Sequence, residues 1–192
     1  MIILYPTETL YALGVNALDE VALKNLFKLK GRDMDKPASW LVRRVEDIER
    51  YAELPEKAEK IAKQFLPGSL TLVLKVKDYL SDTVVAPDRT IGFRVSNDPM
   101  TEQIVDAFME EYDSPLTCTS ANVSGAPTFA TPGEILQQFG EKAQMINEIH
   151  DDDSRKALAS TVVRVVGDTV TVLREGSISE KEIMECVKEN PS

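Results

Sequence analysis

Apolar and polar positions change period repeatedly along the chain, from runs and alternations that suit strands to three-and-four spacings that suit helices. Ile2–Tyr5 is an uninterrupted apolar run and predicts a short buried strand. Over Asp19–Leu29, Ala22, Leu23, Leu26 and Phe27 fall on one helical face, and Gly31 can close that helix. Pro55 suits the first turn of a second helix with an apolar stripe of Ala58, Ile61, Ala62 and Phe65, which Leu66-Pro67-Gly68 breaks. Leu70–Val76 and Thr90–Ser96 read as strands. Asn97-Asp98-Pro99 then leads into a helix with Ile104, Val105, Phe108 and Met109 on one face. Leu116–Thr119 predicts a short strand running into a polar loop. Thr131-Pro132-Gly133-Glu134 has capping-box spacing and starts a helix reaching Phe139. Thr161–Val166 and Thr169–Arg174 alternate around Gly167-Asp168, a β-hairpin pattern. Ser179 and Glu182 have the spacing of a second capping box, before Ile183, Met184 and Val187. Asp151–Leu158 has no apolar period and reads as a mobile or acidic loop. The alternation of elements predicts an α/β fold, and the hairpin makes the sheet a twisted, mixed parallel and antiparallel one with packed helices.

Composition narrows the class. A length of 192 residues with 43% hydrophobic and 28% charged residues fits one domain, 1–192, around one core. No apolar run approaches the roughly 18–20 residues needed to cross a bilayer. Met1–Pro6 is too short and uncharged for a signal peptide. Two cysteines, Cys118 and Cys186, make no disulfide framework. A cytoplasmic protein without membrane contact is expected. The 22 basic residues against 32 acidic ones, a formal charge of −10, disfavour general nucleic-acid binding. The single histidine, His150, excludes a histidine-rich zinc site, and a Ser-His-Asp triad would have to use it. Neither G-x-x-x-x-G-K-[ST] nor G-x-G-x-x-G occurs, so a nucleotide would need side chains and hydroxyl-rich loops in place of a glycine cradle.

Four polar clusters sit just beyond predicted strands or helices, where open α/β sheets place ligands. Tyr5–Gly14 carries Thr7, Glu8, Thr9 and Tyr11, either a capped turn or a ligand loop. Lys30-Gly31-Arg32 ends a helix. It either complements the helix dipole or clamps a phosphate with a point charge and a planar fork. Thr117–Gly125 concentrates small hydroxyl residues with Asn122, as an ordinary turn or a phosphate cradle. Thr90, Arg94, Ser160 and Arg174 form the fourth. A cation within a strand is awkward unless it is solvated, paired or facing a cleft. Together the clusters offer cations and hydroxyls without a nucleophile–base pair. That inventory suits binding a polyanion beside an amino acid, with catalysis by positioning and charge neutralisation.

In this order the residues resemble the YrdC-like family of threonylcarbamoyl-AMP synthases. The matching segments are Pro6-Thr7-Glu8-Thr9-x-Tyr11, Lys30-Gly31-Arg32, Pro67-Gly68-x-x-Thr71, Gly92-x-Arg94, Ser120-Ala121-Asn122-x-Ser124-Gly125, Ser160-Thr161-Val162-Val163 and Leu173-Arg174-x-Gly176. The resemblance implies a fold with a concave, positively lined cavity. It implies a nucleotidyltransferase reaction: L-threonine, bicarbonate and ATP give threonylcarbamoyl-AMP and pyrophosphate for the threonylcarbamoyladenosine modification of tRNA. It puts the catalytic set on Lys30, Arg32, Ser120 and Asn122, acting with Mg2+. ATP contacts fall on Arg32, Lys36, Thr90, Ser120, Thr128 and Arg174, Lys36 standing where relatives often carry asparagine. Threonine contacts fall on Thr9, Tyr11, Arg94 and Ser160, with Arg94 the natural partner of the substrate carboxylate. No protein-held metal is implied. Later tRNA-modification proteins would be partners, with weak tRNA or RNA binding. Leu41, Ala12 and Arg164 depart from the family's usual histidine, glycine and acidic residue, and the chain starts at the first motif strand. Leu41, Ala12 and the short N-terminus motivate a YciO-type paralogue with weak or different nucleotide chemistry as the alternative, and the resemblance also allows an RNA-binding module of the same fold.

Overall fold

The computed structural model describes residues 1–33, 36–151 and 159–188. Most of the Asp151–Leu158 loop lies outside them. The elements run β1 (Ile3–Tyr5), β2 (Ala12–Gly14), α1 (Glu20–Lys30), β3 (Ser39–Leu41), α2 (Val45–Ile48), α3 (Glu56–Phe65), β4 (Leu70–Lys75), β5 (Thr90–Arg94), α4 (Pro99–Tyr112), β6 (Leu116–Ser120), α5 (Pro132–Phe139), a 3-10 segment (Gly140–Met145), β7 (Glu148–Ile149), β8 (Thr161–Val166), β9 (Thr169–Arg174) and α6 (Glu180–Cys186). The strands form a mixed sheet in the order β7-β1-β2-β6-β3-β5-β4-β8-β9. β1–β7, β3–β5 and β4–β8 pair in parallel, and the remaining neighbours are antiparallel.

Local chemistry sets the helix ends. The Asp19 carboxylate accepts from the N–H groups of Val21 and Ala22 to start α1, and Gly31 ends it in the left-handed region (φ 61°, ψ 38°). Asp98 caps α4 through the Thr101 N–H at 2.9 Å. Ser179 and Glu182 close a reciprocal capping box on α6. Thr131 accepts from the Glu134 N–H to start α5. The left-handed Gly167 turns the β8–β9 hairpin.

The expected strands at Leu70–Val76 and Thr90–Ser96 end earlier, at Lys75 and Arg94. Val76 keeps one isolated bridge, to Ala52. β2, β3 and β7 have only two or three residues each, too few to display a period in the sequence. Trp40 of β3 is 1% exposed. It meets Tyr51 and Phe93 edge-on at centroid separations of 5.6 and 5.8 Å. This aromatic group fills the core under the centre of the sheet.

Candidate active site

The period-two geometry of β5, β4 and β8 builds the site floor. Phe93, Leu72 and Val163 lie opposite one another and are fully buried on the core side. Their chain neighbours therefore face the other way. Gly92, Val73 and Arg164 form one row there, and Thr71, Val162 and Arg174 another, with Arg94 two residues beyond Gly92. A Cβ on Gly92 would lie 2.8 Å from a Thr71 methyl and 2.9 Å from the Ser39 hydroxyl, so the glycine is what allows these strands to approach. Above the floor is a cavity of about 730 Å³, a size that suits a small ligand.

At one end Arg94, 8% exposed, forms an ion pair with Glu8 and donates to the Thr9 hydroxyl at 3.0 Å. Ser96 donates to the other Glu8 oxygen. The first loop holds this arrangement: the Thr7 hydroxyl accepts from the N–H groups of Thr9 and Leu10, at 3.2 Å each, and donates to the Leu10 carbonyl at 2.7 Å. Burial opposes the Arg94 charge, but the Glu8 carboxylate at its side answers it, and the net shift of the Arg94 pKa is upward. Burial pushes the Cys118 thiol on the same wall upward, which keeps it neutral and a poor nucleophile.

Arg174 donates from Nε and Nη2 to the Ser160 carbonyl at 3.1 and 2.8 Å, and the Ser160 hydroxyl lies 2.9 Å from that of Thr71. Burial, and then repulsion from Arg94, lower the Arg174 pKa. An anion beside Arg174 would relieve its charge, which Glu8 already does for Arg94. Gly176 secures this corner. Its missing Cβ would stand 2.3 Å from the Ala159 carbonyl oxygen and 2.7 Å from the Ser160 carbonyl carbon.

Across the cavity, Arg32 donates from Nε to the Lys36 carbonyl at 2.7 Å, from Nη2 to the Pro37 carbonyl at 2.9 Å, and from Nη1 to the Thr119 hydroxyl at 3.2 Å. Lys30 is 2% exposed. Its ammonium serves the Ser120 carbonyl, the Asn122 carbonyl at 2.9 Å and the Asn122 side-chain oxygen at 3.5 Å. Burial, then repulsion from Arg32, lowers its pKa to about 7. The Ser120 hydroxyl donates to the Asn122 side-chain oxygen at 2.6 Å, and the Asn122 amide donates to the Ala126 carbonyl at 2.6 Å.

The cavity wall therefore brings together Thr9, Tyr11, Arg32, Thr90, Arg94 and Ser120, with Thr128, Ser160 and Arg174 completing it. Lys30 and Asn122 lie behind the Ser120 loop and shape it, outside the lining. Lys36 is exposed and pairs with Asp33 at 3.7 Å. Tyr11 is 1% exposed and its hydroxyl bonds Asp151. Leu41 is a fully buried core residue. His150 bonds Glu148 at 2.6 Å and does not line the cavity, so it forms no triad there. Ser39 and Asp88 carry no signal in the sequence, Thr71 stands there only as a motif position, and Arg164 only as a departure from the family pattern. The period-two offset of Val73 from Thr71, and of Arg164 from Val162, was the available signal.

Among the described residues no group of three or more His, Cys, Asp or Glu could hold a metal ion, and no helix is long and apolar enough to cross a membrane. The wall offers arginine cations and hydroxyls, suited to gripping anions and orienting them.

The family profile for Sua5, YciO and YrdC, described as telomere recombination, matches residues 1–176. A putative threonylcarbamoyl-AMP synthase of Methanocaldococcus jannaschii is 34% identical over 185 residues, 96% of this chain and 84% of that protein. The threonylcarbamoyl-AMP synthase of Pyrococcus abyssi is 33% identical over 98% of this chain, which spans only 54% of that relative. The crystal structure of P. abyssi Sua5 with L-threonine superposes with a TM-score of 0.85 at 32% identity, over 97% of this chain and 53% of that one. E. coli YciO superposes at 0.81 with 25% identity, over 95% of this chain and 86% of that one. The chain belongs to the Sua5/YciO/YrdC family.

Proposed function

We propose that the chain, as one domain over residues 1–192, is an L-threonylcarbamoyladenylate synthase, a nucleotidyltransferase acting in the cytoplasm. The threonine amine first attacks CO2 and gives up a proton to solvent, or condenses with bicarbonate and releases water, to form a carbamate. A carbamate oxygen then attacks the α-phosphorus of ATP. The new O–P bond forms as the bond from that phosphorus to the α–β bridging oxygen breaks, and pyrophosphate leaves with the electron pair. The product would supply the threonylcarbamoyl group to later tRNA-modification proteins.

The observation that carries this reading is the convergence of Arg32, Arg94 and Arg174 with the Ser120 and Ser160 hydroxyls on one cavity. Arg94 would hold the threonine carboxylate. Glu8 occupies one of its terminal nitrogens, while Thr9 and Ser160 flank the substrate and Tyr11 walls the pocket. Arg32, Lys36, Thr90, Ser120, Thr128 and Arg174 would hold ATP, Lys36 from outside the cavity lining. Lys30 and Asn122 would act by keeping the Ser120 loop in shape. Catalysis then rests on bringing two anionic reactants together and offsetting their charge.

Mg2+ would arrive on the triphosphate and neutralise part of its charge. The Thr119 and Ser120 hydroxyls are hard oxygen groups that fit the hydration shell of such an ion. The likeness to E. coli YciO favours a second reading, a paralogue with the same cavity and other nucleotide chemistry. The acidic balance of the chain weighs against the RNA-binding alternative.

The test is product analysis. Protein incubated with ATP, Mg2+, L-threonine and 13C-bicarbonate should yield an adenylate carrying both threonine and the labelled carbon. Folded, ATP-binding protein that makes none would favour the paralogue.

A further inference from the structure

Among the described residues on the cavity wall, Asp88 is the one carboxylate, on a lining that also carries four arginines. One of its oxygens accepts from the Thr90 hydroxyl at 2.7 Å and the other from Arg164 Nη2 at 2.8 Å. Its turn is firmly built. Arg89 is in the left-handed region, its N–H donates to the Ala86 carbonyl at 2.8 Å, and its guanidinium holds the carbonyls of Lys77 and Leu80 at 3.0 and 3.1 Å. Thr90 begins β5 and Arg94 ends it, a separation of about 13 Å along an extended strand. Asp88 therefore stands well away from the amino-acid end. The Asp88–Arg164 pair carries no net positive charge for a triphosphate, whereas Arg32 and Arg174 do, so this corner suits an uncharged part of a nucleotide. Apolar Ala86 and Pro87 line the same corner.

We propose that the Asp88–Arg164 pair, held by Thr90, reads the nucleoside of ATP, and this rests on the nucleotide-binding reading above. A carboxylate with spare lone pairs beside a guanidinium with spare N–H groups complements a ligand edge that offers a donor next to an acceptor. Both the ribose diol and the amino edge of adenine have that chemistry. Neither Asp88 nor Arg164 touches the reacting atoms in this arrangement, and they set nucleotide choice.

Equilibrium binding of ATP, 2′-deoxy-ATP, 3′-deoxy-ATP and inosine triphosphate, without threonine, tests it. Wild-type protein should bind ATP about tenfold or more tightly than at least one analogue, the value of a hydrogen bond to a charged group. The deoxy analogues report the ribose and inosine triphosphate reports the base. In Asp88→Asn that preference should collapse to about twofold, while inorganic tripolyphosphate still binds. Arg164→Gln should also reduce the preference, which supplies a second readout if the first variant does not fold. Equal binding of all four nucleotides by the wild type, or an unchanged preference in the variants, overturns the proposal. Because no turnover is measured, a protein that discriminates but makes no adenylate retains this inference and loses the synthase reading. The reverse pattern does the opposite.

Discussion

The Lys30 ammonium lies 2.9 Å from the carbonyl oxygen of Asn122, a residue ninety-two positions later in the chain, and is buried with it. The helix that ends at Lys30 and the loop that follows β6 are thereby fastened together directly behind Ser120. The cation that the sequence offers as a phosphate clamp also ties down the loop that faces the cavity.

This burial has a signed consequence. Burial, with repulsion from Arg32, brings the Lys30 pKa down to about 7 in the folded state. Between about pH 7 and the ordinary lysine range the unfolded chain holds the proton more tightly. The Lys30 contribution to stability therefore rises with pH across that window and is absent below it, with a slope of at most about 1.4 kcal/mol per pH unit. Urea unfolding at pH 7 and pH 9 should show wild-type protein gaining stability relative to Lys30→Met. A relative loss would contradict the assignment.

Glu8 and Arg94 are each 10% exposed at the side chain, so their charges answer one another in a largely dry setting. Glu8→Gln keeps the shape and removes the charge. Stability should fall by about 3 kcal/mol, the order found when one partner of a buried pair is removed. The KM for threonine should rise much more than the affinity for ATP changes. Equal effects on both substrates would speak against Arg94 as the carboxylate partner.

Arg32 makes three hydrogen bonds from three different nitrogens, to Lys36, Pro37 and Thr119. Arg32→Lys keeps the charge and loses the fork. Steady-state pyrophosphate release should drop by roughly a hundredfold, the scale of losing one preorganised electrostatic group. Near-normal turnover would show that charge without geometry suffices.

Gly176 packs where a methyl would strike the backbone of Ala159 and Ser160. Gly176→Ala should cost about 1–3 kcal/mol through overpacking. It should also weaken ATP binding, because the Ser160 carbonyl that anchors Arg174 must shift. A variant with unaltered melting temperature and ATP affinity would show the corner to be compliant.

Much of this fold is legible where an element is long enough to repeat. α1 shows its stripe at Ala22, Leu23, Leu26 and Phe27, and the β8–β9 hairpin shows alternation around Gly167. Ser39–Leu41 does not, since three residues carry no period, and yet β3 joins β5 to β6 at the middle of the sheet. The site was legible as residue types and only partly as roles. Arg94 looked out of place in a strand because Glu8, which answers its charge, is eighty-six residues away. Lys30 and Asn122 read as ligand groups, and only the fold could turn them toward one another. Asp88 gave no local signal at all, and its meaning comes from the four arginines around the same space.

Pyrophosphate release with each substrate omitted in turn tests the central claim most directly. Release is expected from wild-type protein only when ATP, bicarbonate and L-threonine are all present, and this threonine-dependent release is expected to be lost in Arg94→Gln. Release that ignores threonine, or none at all from folded protein that binds ATP, would contradict a cavity built to join an amino acid to a nucleotide.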